Sequence, residues 1–332
     1  MKPVGLVAIE AEMARQGADA LASFRAAGGV AKRVADSLRR TGRLVMLGMG
    51  ASQAVNRAVE PLYRDLGLDA VALAMSEQLG MGLPLDGRTV LVASQSGESA
   101  EVVRWLATAR GGEAFGMTLD ADSTLARELP SLVGAGGVEV AFAATRSLTV
   151  TFALHLAVLA ELGADPAPAL ATMAGTGAVD VSTGVARLAG AAAIVVSGRR
   201  LQGVAEAAAL GLCELARLPA FALEGGQLRH GPMEMLGPDI GVLLMRCDEP
   251  GADLVAGMAG AARDAGARVV MLDASGQPPV EGVTGIALPR AGGMAAILTM
   301  LPTMQRLMLD FAANRVADVG TPRRSSKITR IE

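Results

Sequence analysis

From Thr89 to Ser99 the chain reads TVLVASQSGES. An apolar strand, Thr89 to Ala93, runs into three hydroxyl side chains with a glycine among them, and a helix is expected to start at about Glu98. In an open α/β sheet, ligands bind at the carboxyl ends of the strands. A helix N-terminus placed there offers free backbone N–H groups and the positive end of a dipole, both suited to phosphate. Ordinary helix capping by Ser96 or Ser99 would use the same residue types. A second turn of this kind, Gly50-Ala51-Ser52, closes the earlier strand Arg43 to Met49 (RLVMLGM) and favours the phosphate reading.

Outward from these turns, strand and helix alternate. A helical stretch covers Ile9 to Leu38, and a helix follows the first turn through Leu66. Val71 to Met75, Gly116 to Leu119 and Val138 to Phe142 are further strand candidates, with a short helix at Ser76. Such alternation predicts a parallel sheet covered on both faces. The Pro-rich break Ala164 to Pro168 is a plausible boundary, after which the pattern restarts. Ala192 to Val196 is a new first strand ending at Ser197-Gly198-Arg199-Arg200, with a helix from Gly203 to Leu218. Ile240 to Met245 and Ala267 to Leu272 are strands flanking the helix Asp253 to Asp264, and a last helix runs from Gly292 to Ala317. The expected architecture is α/β: two tandem doubly wound parallel-sheet domains of flavodoxin-like kind plus a C-terminal tail. The expected segments are 1–38 (helical), 39–168, 169–317 and a tail, 318–332, whose pattern promises nothing to a core.

Bulk properties narrow the function. With 332 residues, two domains are the default expectation. The chain is 51% hydrophobic but only 2% aromatic, with 41 glycines, which suits a core of small aliphatic groups. No apolar run approaches the ~20 residues that span a bilayer. The N-terminus lacks a secretory pattern, so the cytoplasm is the expected compartment. A net charge of −3 and no Lys/Arg cluster interleaved with aromatics make nucleic acid a poor partner. Cys213 and Cys247 have no metal-ligand spacing and read as reduced, buried thiols. No metal or organic cofactor is expected.

The order strand, G-x-S, helix, strand, SQSGES, helix resembles the sugar isomerase (SIS) family, and more closely the isomerase half of glucosamine-6-phosphate synthase. The resemblance covers nearly the whole chain. It implies that Ala51, Ser52, Ser94, Gln95, Ser96 and Ser99 contact a phosphate, although the synthase usually has a hydroxyl residue where Ala51 stands. Glu139 to Ser147 (EVAFAATRS) is similar to the family's EIGVASTKA and would place Phe142, Ala143 and Ala144 beside a sugar. In the second domain, QLRHGP (Gln227 to Pro232) resembles the family's ELKHGP, and Glu214 lies sixteen positions before His230 as the family's glutamate does. The resemblance implies that Glu214 moves a proton between C1 and C2. It implies that His230 opens the sugar ring, reaching into a neighbouring subunit's site. The chemistry needs such a pair: ring opening calls for a group titrating near neutrality, and the enediol step for a base. Without the family, Glu214 would read as a helix-surface residue and His230 as a loop histidine. His155, in an apolar helical stretch, reads as packing. The tail DVGTPRRSSKITRIE (Asp318 to Glu332) resembles the synthase's closing segment in the spacing of Pro322, Arg323 and Lys327, and Lys327 would face the open-chain carbonyl.

The match also has gaps. The chain begins Met1-Lys2-Pro3 with no cysteine before Cys213, so the synthase's glutaminase nucleophile is not expected here. Where the family has E-G-A-L-K-L-K-E, this chain has EAAALGLCE (Glu206 to Glu214): Gly211 replaces a lysine and Ala207 a glutamate. Glu224 could add a carboxylate the synthase lacks. The leading expectation is a homodimer with shared active sites that deaminates glucosamine 6-phosphate to fructose 6-phosphate and ammonia. A deglycase of phosphorylated fructose–amine adducts and a plain aldose–ketose isomerase are the close alternatives. A sugar-phosphate sensor is the alternative of another class, disfavoured because the ~40 residues before the first strand are too few and insufficiently basic for a DNA-binding domain.

Overall fold

The computed structural model describes residues 2–108, 111–175 and 179–330. The chain divides into two compact units, one of residues 8–175 with 322–332 and one of residues 1–7 with 176–321.

The first unit's elements are α1 (Val4–Ala26, which begins in the other unit's first residues), α2 (Gly28–Thr41), β1 (Arg43–Gly48), α3 (Gly50–Asp65), β2 (Asp69–Ala74), α4 (Met75–Met81), β3 (Thr89–Ala93), α5 (Ala100–Leu106), β4 (Glu113–Thr118), α6 (Thr124–Glu128), β5 (Ser131–Val133), α7 (Arg146–Glu161) and α8 (Ala167–Ala174). Its sheet is parallel in the order β2-β1-β3-β4-β5. The central strands are buried along their length because helices cover both faces, which is why they read as unbroken apolar runs. Val45, Leu47, Val90 and Val92 pack against Trp105 of α5 and Leu125 of α6. The helical stretch expected over Ile9 to Leu38 is two helices, divided at Ala27 ahead of Gly28-Gly29. In α2 the buried positions Ala31, Val34, Ala35 and Leu38 fall on one helical face, and Gly42 ends the helix in the left-handed conformation.

The second unit repeats the plan with α9 (Ser182–Leu188), β6 (Ala193–Ser197), α10 (Gln202–Ala216), β7 (Ala220–Ala222), α11 (Gly225–Arg229), β8 (Ile240–Cys247), α12 (Ala252–Asp264), β9 (Arg268–Ala274), β10 (Thr284–Ala287) and α13 (Gly293–Ala313). Its parallel sheet runs β7-β6-β8-β9-β10, the same winding as the first. Val195, Val242, Leu244 and Val269 pack against Val255 and Met258 of α12.

Three expectations are corrected. Val138 to Phe142 is not a strand: Gly136 and Gly137 turn the chain at positive φ, and the apolar alternation serves a loop that buries Ala141 and Ala143 and exposes Val140. The tail does contribute to a core, since Val319 is fully buried and Asp318 pairs with Arg217 at 2.7 Å. Cys213 is exposed, its thiol donating to the Ala220 carbonyl; Cys247 is buried. The end of the tail match, Ile331 and Glu332, lies outside the described residues. Among the described residues no helix is long and apolar enough to cross a membrane, and no group of side chains is arranged to hold a metal ion.

Candidate active site

The first unit's sheet order reverses between β1 and β3, so the loops leaving these two strands flank the crevice where such sheets take ligands. The loop after β3 is tightly built. The Gly97 N–H donates to the Ser94 hydroxyl oxygen at 3.1 Å, and the Glu98 N–H to that of Ser96 at 3.2 Å. The Gln95 carbonyl accepts from the Leu119 N–H, which ties the loop to the end of β4. Gly97 has φ of +63°, and a Cβ there would lie 2.3 Å from the Ser123 hydroxyl, so only glycine permits this turn. Ser99 stands at the N-cap of α5, yet its side chain makes no capping bond. Capping therefore does not account for the Ser99 hydroxyl, which sequence alone left open.

Ser94 and Ser96 are buried, while Ala51, Ser52, Gln95 and Ser99 are half-buried. Ser52 and Gln53 begin α3, their N–H groups donating back to the Met49 carbonyl. Three side-chain amides in this region hold buried atoms without a hydrogen-bond partner: Nε2 of Gln95, Oε1 of Gln53, and both polar atoms of Asn56. Such atoms cost about 1–3 kcal/mol each when left unmade, and most buried polar groups are satisfied. Gln53 and Asn56 escaped the sequence reading; the signal was polar residues on the buried start of a helix right after a G-x-S turn.

The segment Glu139 to Ser147 forms the loop into α7, with Phe142 and Ala144 half-buried and Ala143 buried. Glu139 is fully buried and is the hub of this loop. Its Oε1 accepts from the N–H groups of Thr145 (3.0 Å), Arg146 (2.8 Å) and Ser147 (3.4 Å) and from the Thr145 hydroxyl (3.0 Å). Its Oε2 accepts from the Ser147 hydroxyl at 2.6 Å and from Nζ of Lys327 at 3.0 Å. The loop's other side is held by Arg146, also fully buried, which pairs with Glu12 and Asp19 of α1 and donates to the Ala135 and Gly137 carbonyls. Burial works to raise the Glu12 carboxyl, but the Val140 N–H, Arg146 and Arg15 outweigh it and hold it below the usual carboxylate range. The tail is anchored a second time where the Ala100 N–H, first in α5, donates to the Thr329 carbonyl at 2.9 Å. Lys327 thus lies in the same unit as the serine loops, joined directly to Glu139 at the head of the loop into α7.

Glu214 and His230 belong to the second unit. Glu214 is half-buried on α10. His230 is exposed and ends α11, its N–H donating to the Gln227 carbonyl. Glu224 is the N-cap of α11, accepting from the Gly226 and Gln227 N–H groups, and lies 3.6 Å from Arg199. That explains Glu224 as the residue that starts the short helix carrying His230. Gly211 is buried where α10 meets α13: a Cβ there would lie 2.9 Å from the sulfur of Met308, so close packing replaces the family's lysine. His155 is packing, as expected: Nδ1 lies 3.0 Å from the Tyr63 hydroxyl, and burial pushes the imidazole down to about 3.

Two parallel sheets of one winding, with serine loops at the carboxyl edge of the first, make a tandem doubly wound fold of flavodoxin-like kind. No protein-family model matches the chain. In sequence it is similar to the isomerising glutamine–fructose-6-phosphate aminotransferase of Aeropyrum pernix, 29% identical over 328 residues that cover 90% of this chain and 53% of that one. It is also similar to the enzyme of the same name from Symbiobacterium thermophilum, 28% identical and covering 75% and 45%. The chain thus spans about half the length of the curated relatives it matches. In fold it is similar to the C-terminal domain of glucosamine-fructose-6-phosphate aminotransferase from Francisella tularensis, with a TM-score of 0.81 at 17% identity over 95% of this chain and 98% of that one. Tagatose-6-phosphate ketose/aldose isomerase from Escherichia coli gives 0.78 at 20% identity, covering 97% and 98%. Glucosamine-6-phosphate deaminase from Thermotoga maritima gives 0.69 at 18%, covering 93% and 99%.

Proposed function

We propose that the chain is a phosphosugar isomerase that deaminates glucosamine 6-phosphate to fructose 6-phosphate and ammonia. One observation carries the reading: the tail lysine, Lys327, is held in the unit that bears the serine loops, with its backbone anchored two residues on at the first residue of α5. An anion site and a cation for the far end of the same small molecule then belong to one unit. The buried, unpartnered amides of Gln95, Gln53 and Asn56 support it, because sugar and phosphate oxygens and hydroxyls are what such atoms bind.

In this scheme Ser52, Ser94, Gln95, Ser96 and Ser99 hold the phosphate, helped by the N-termini of α3 and α5, with Ala51 lending only its backbone. Phe142 and Ala144 border the sugar. His230 opens the ring, transferring a proton to O5 as the C1 aldehyde forms. Glu214 takes the C2 proton, which the carbonyl acidifies, and returns it to C1, leaving an imine at C2. Water adds to that imine, and ammonia leaves as the ketone forms. Lys327 faces the carbonyl oxygen, where negative charge develops. The substrate's own carbonyl supplies the acidification, so the scheme calls on no cofactor. A homodimer with shared sites fits the exposure of His230 on its own chain.

The test is Glu214→Gln. Turnover is expected to fall at least ~100-fold, as for removal of a general base, while the sugar phosphate still stabilises the protein thermally. Full turnover in this variant on every sugar phosphate bound would contradict the scheme. Plain aldose–ketose isomerisation is the second reading, favoured by Gly211, which removes a helix lysine of the aminating family.

A further inference from the structure

We propose that Glu139 is a positioning residue: its carboxylate holds both the loop beside the sugar and the ammonium group of Lys327. The claim rests on the reading of Lys327 given above. A buried carboxylate costs several kcal/mol unless it is paired and hydrogen-bonded. Five of the donors to Glu139 come from Thr145, Arg146 and Ser147, so the carboxylate closes the N-terminus of α7, where the N-cap residue Thr145 supplies no side-chain cap. A negative group is favoured there. The sixth donor comes from 188 residues further along the chain. Capping alone would not require it.

The geometry couples two parts of one site. Oε1 serves the loop, whereas Oε2 is shared by the Ser147 hydroxyl and Lys327. Phe142 and Ala144 lie between Glu139 and its partners Thr145 to Ser147, so the carboxylate fixes the start and the end of the segment that borders the sugar. The Thr329 carbonyl on the Ala100 N–H provides the other fixed point, beside Ser99. The tail is therefore tied to the sugar loop and to the phosphate-loop helix within three residues. A lysine on an otherwise exposed segment gains a defined position from these two bonds, and misplacement of a reacting group by about 1 Å can cost ~100-fold in rate.

Glu139→Gln in the full chain tests the coupling. Glutamine keeps an acceptor for the α7 N–H groups but removes the charge that holds Lys327. Trypsin is expected to cut after Lys327 at least ~10-fold faster than in the wild type, since cleavage follows the open population. On glucosamine 6-phosphate, kcat is expected to fall ~10–100-fold with KM changed less than ~3-fold, and in a Lys327→Ala background Glu139→Gln should cost nothing more. Wild-type cleavage and wild-type kcat would overturn the proposal, as would losses that simply multiply. Lys327→Met, which leaves the α7 donors intact, covers the case in which Glu139→Gln does not fold: hydrogen exchange at the Ala100 N–H should quicken, and unchanged exchange would contradict the clamp. The cleavage and exchange readings stand without turnover. A wild type that acts on no sugar phosphate would therefore defeat the functional reading, while equal cleavage of wild type and variant would defeat the clamp.

Discussion

At the residue scale the candidate phosphate loops present hydroxyls and amides rather than charged side chains. Ser94 and Ser96 already accept bonds from the backbone of their own loop, which leaves their hydroxyl protons to donate outward. Ser96→Ala should therefore weaken phosphate binding without touching the proton-transfer step: KM is expected to rise about 10–150-fold, the worth of one hydrogen bond to a charged group, with kcat within ~3-fold. Steady-state kinetics reads both. A fall in kcat with unchanged KM would place Ser96 elsewhere in the mechanism. The turn itself was legible in the sequence as hydroxyls and a glycine between an apolar strand and a helix, but capping would use the same residue types, so the role proposed for these serines was not. Glu139 was quoted within its motif but received no role, since the six donors around it come together only when the loop closes on α7 and the tail returns from 188 residues away.

At the element scale, two glycines mark where backbone and helix must come close. Gly97 holds φ of +63° with Ser123 against it, so Gly97→Ala should strain the phosphate loop and destabilise the first unit by about 1–3 kcal/mol, with a matching loss of phosphate affinity. Gly211→Leu should destabilise the second unit by about 1–3 kcal/mol through overpacking against Met308, leaving thermal stabilisation by phosphate unchanged. Thermal melts with and without sugar phosphate separate the two outcomes; loss of phosphate stabilisation in Gly211→Leu would contradict this assignment. Elements were legible where burial on both faces produced continuous apolar runs, as in β1, β3, β6 and β8. The short edge strands β5, β7 and β10 were missed because three or four residues, mostly half-exposed or exposed, carry no such run. Val138 to Phe142 misled for the opposite reason, showing strand-like alternation in a segment that Gly136, Gly137 and the Glu139 bonds hold as a loop.

At the scale of the whole molecule, two sheets of identical winding carry different carboxyl edges. The restart after the Pro-rich break made the duplication legible. Serines and amides line the first edge; the second has Arg199 paired with Glu224, which caps the helix leading to His230. Stability should respond to pH through His155. Its folded value, about 3, lies below the ordinary 6.5, so the folded chain binds fewer protons between the two, and its contribution is full above 6.5 and lost as pH falls. Between pH 7.5 and 5.0 that amounts to about 2 kcal/mol. Urea unfolding followed by Trp105 fluorescence should show it, and His155→Gln should remove that part of the slope. The most direct measurement of the central claim is ammonia release from glucosamine 6-phosphate by the purified protein, with fructose 6-phosphate assayed in parallel. The account predicts both products in equal amounts, and neither from Lys327→Ala. Binding of glucosamine 6-phosphate with release of neither product would contradict it.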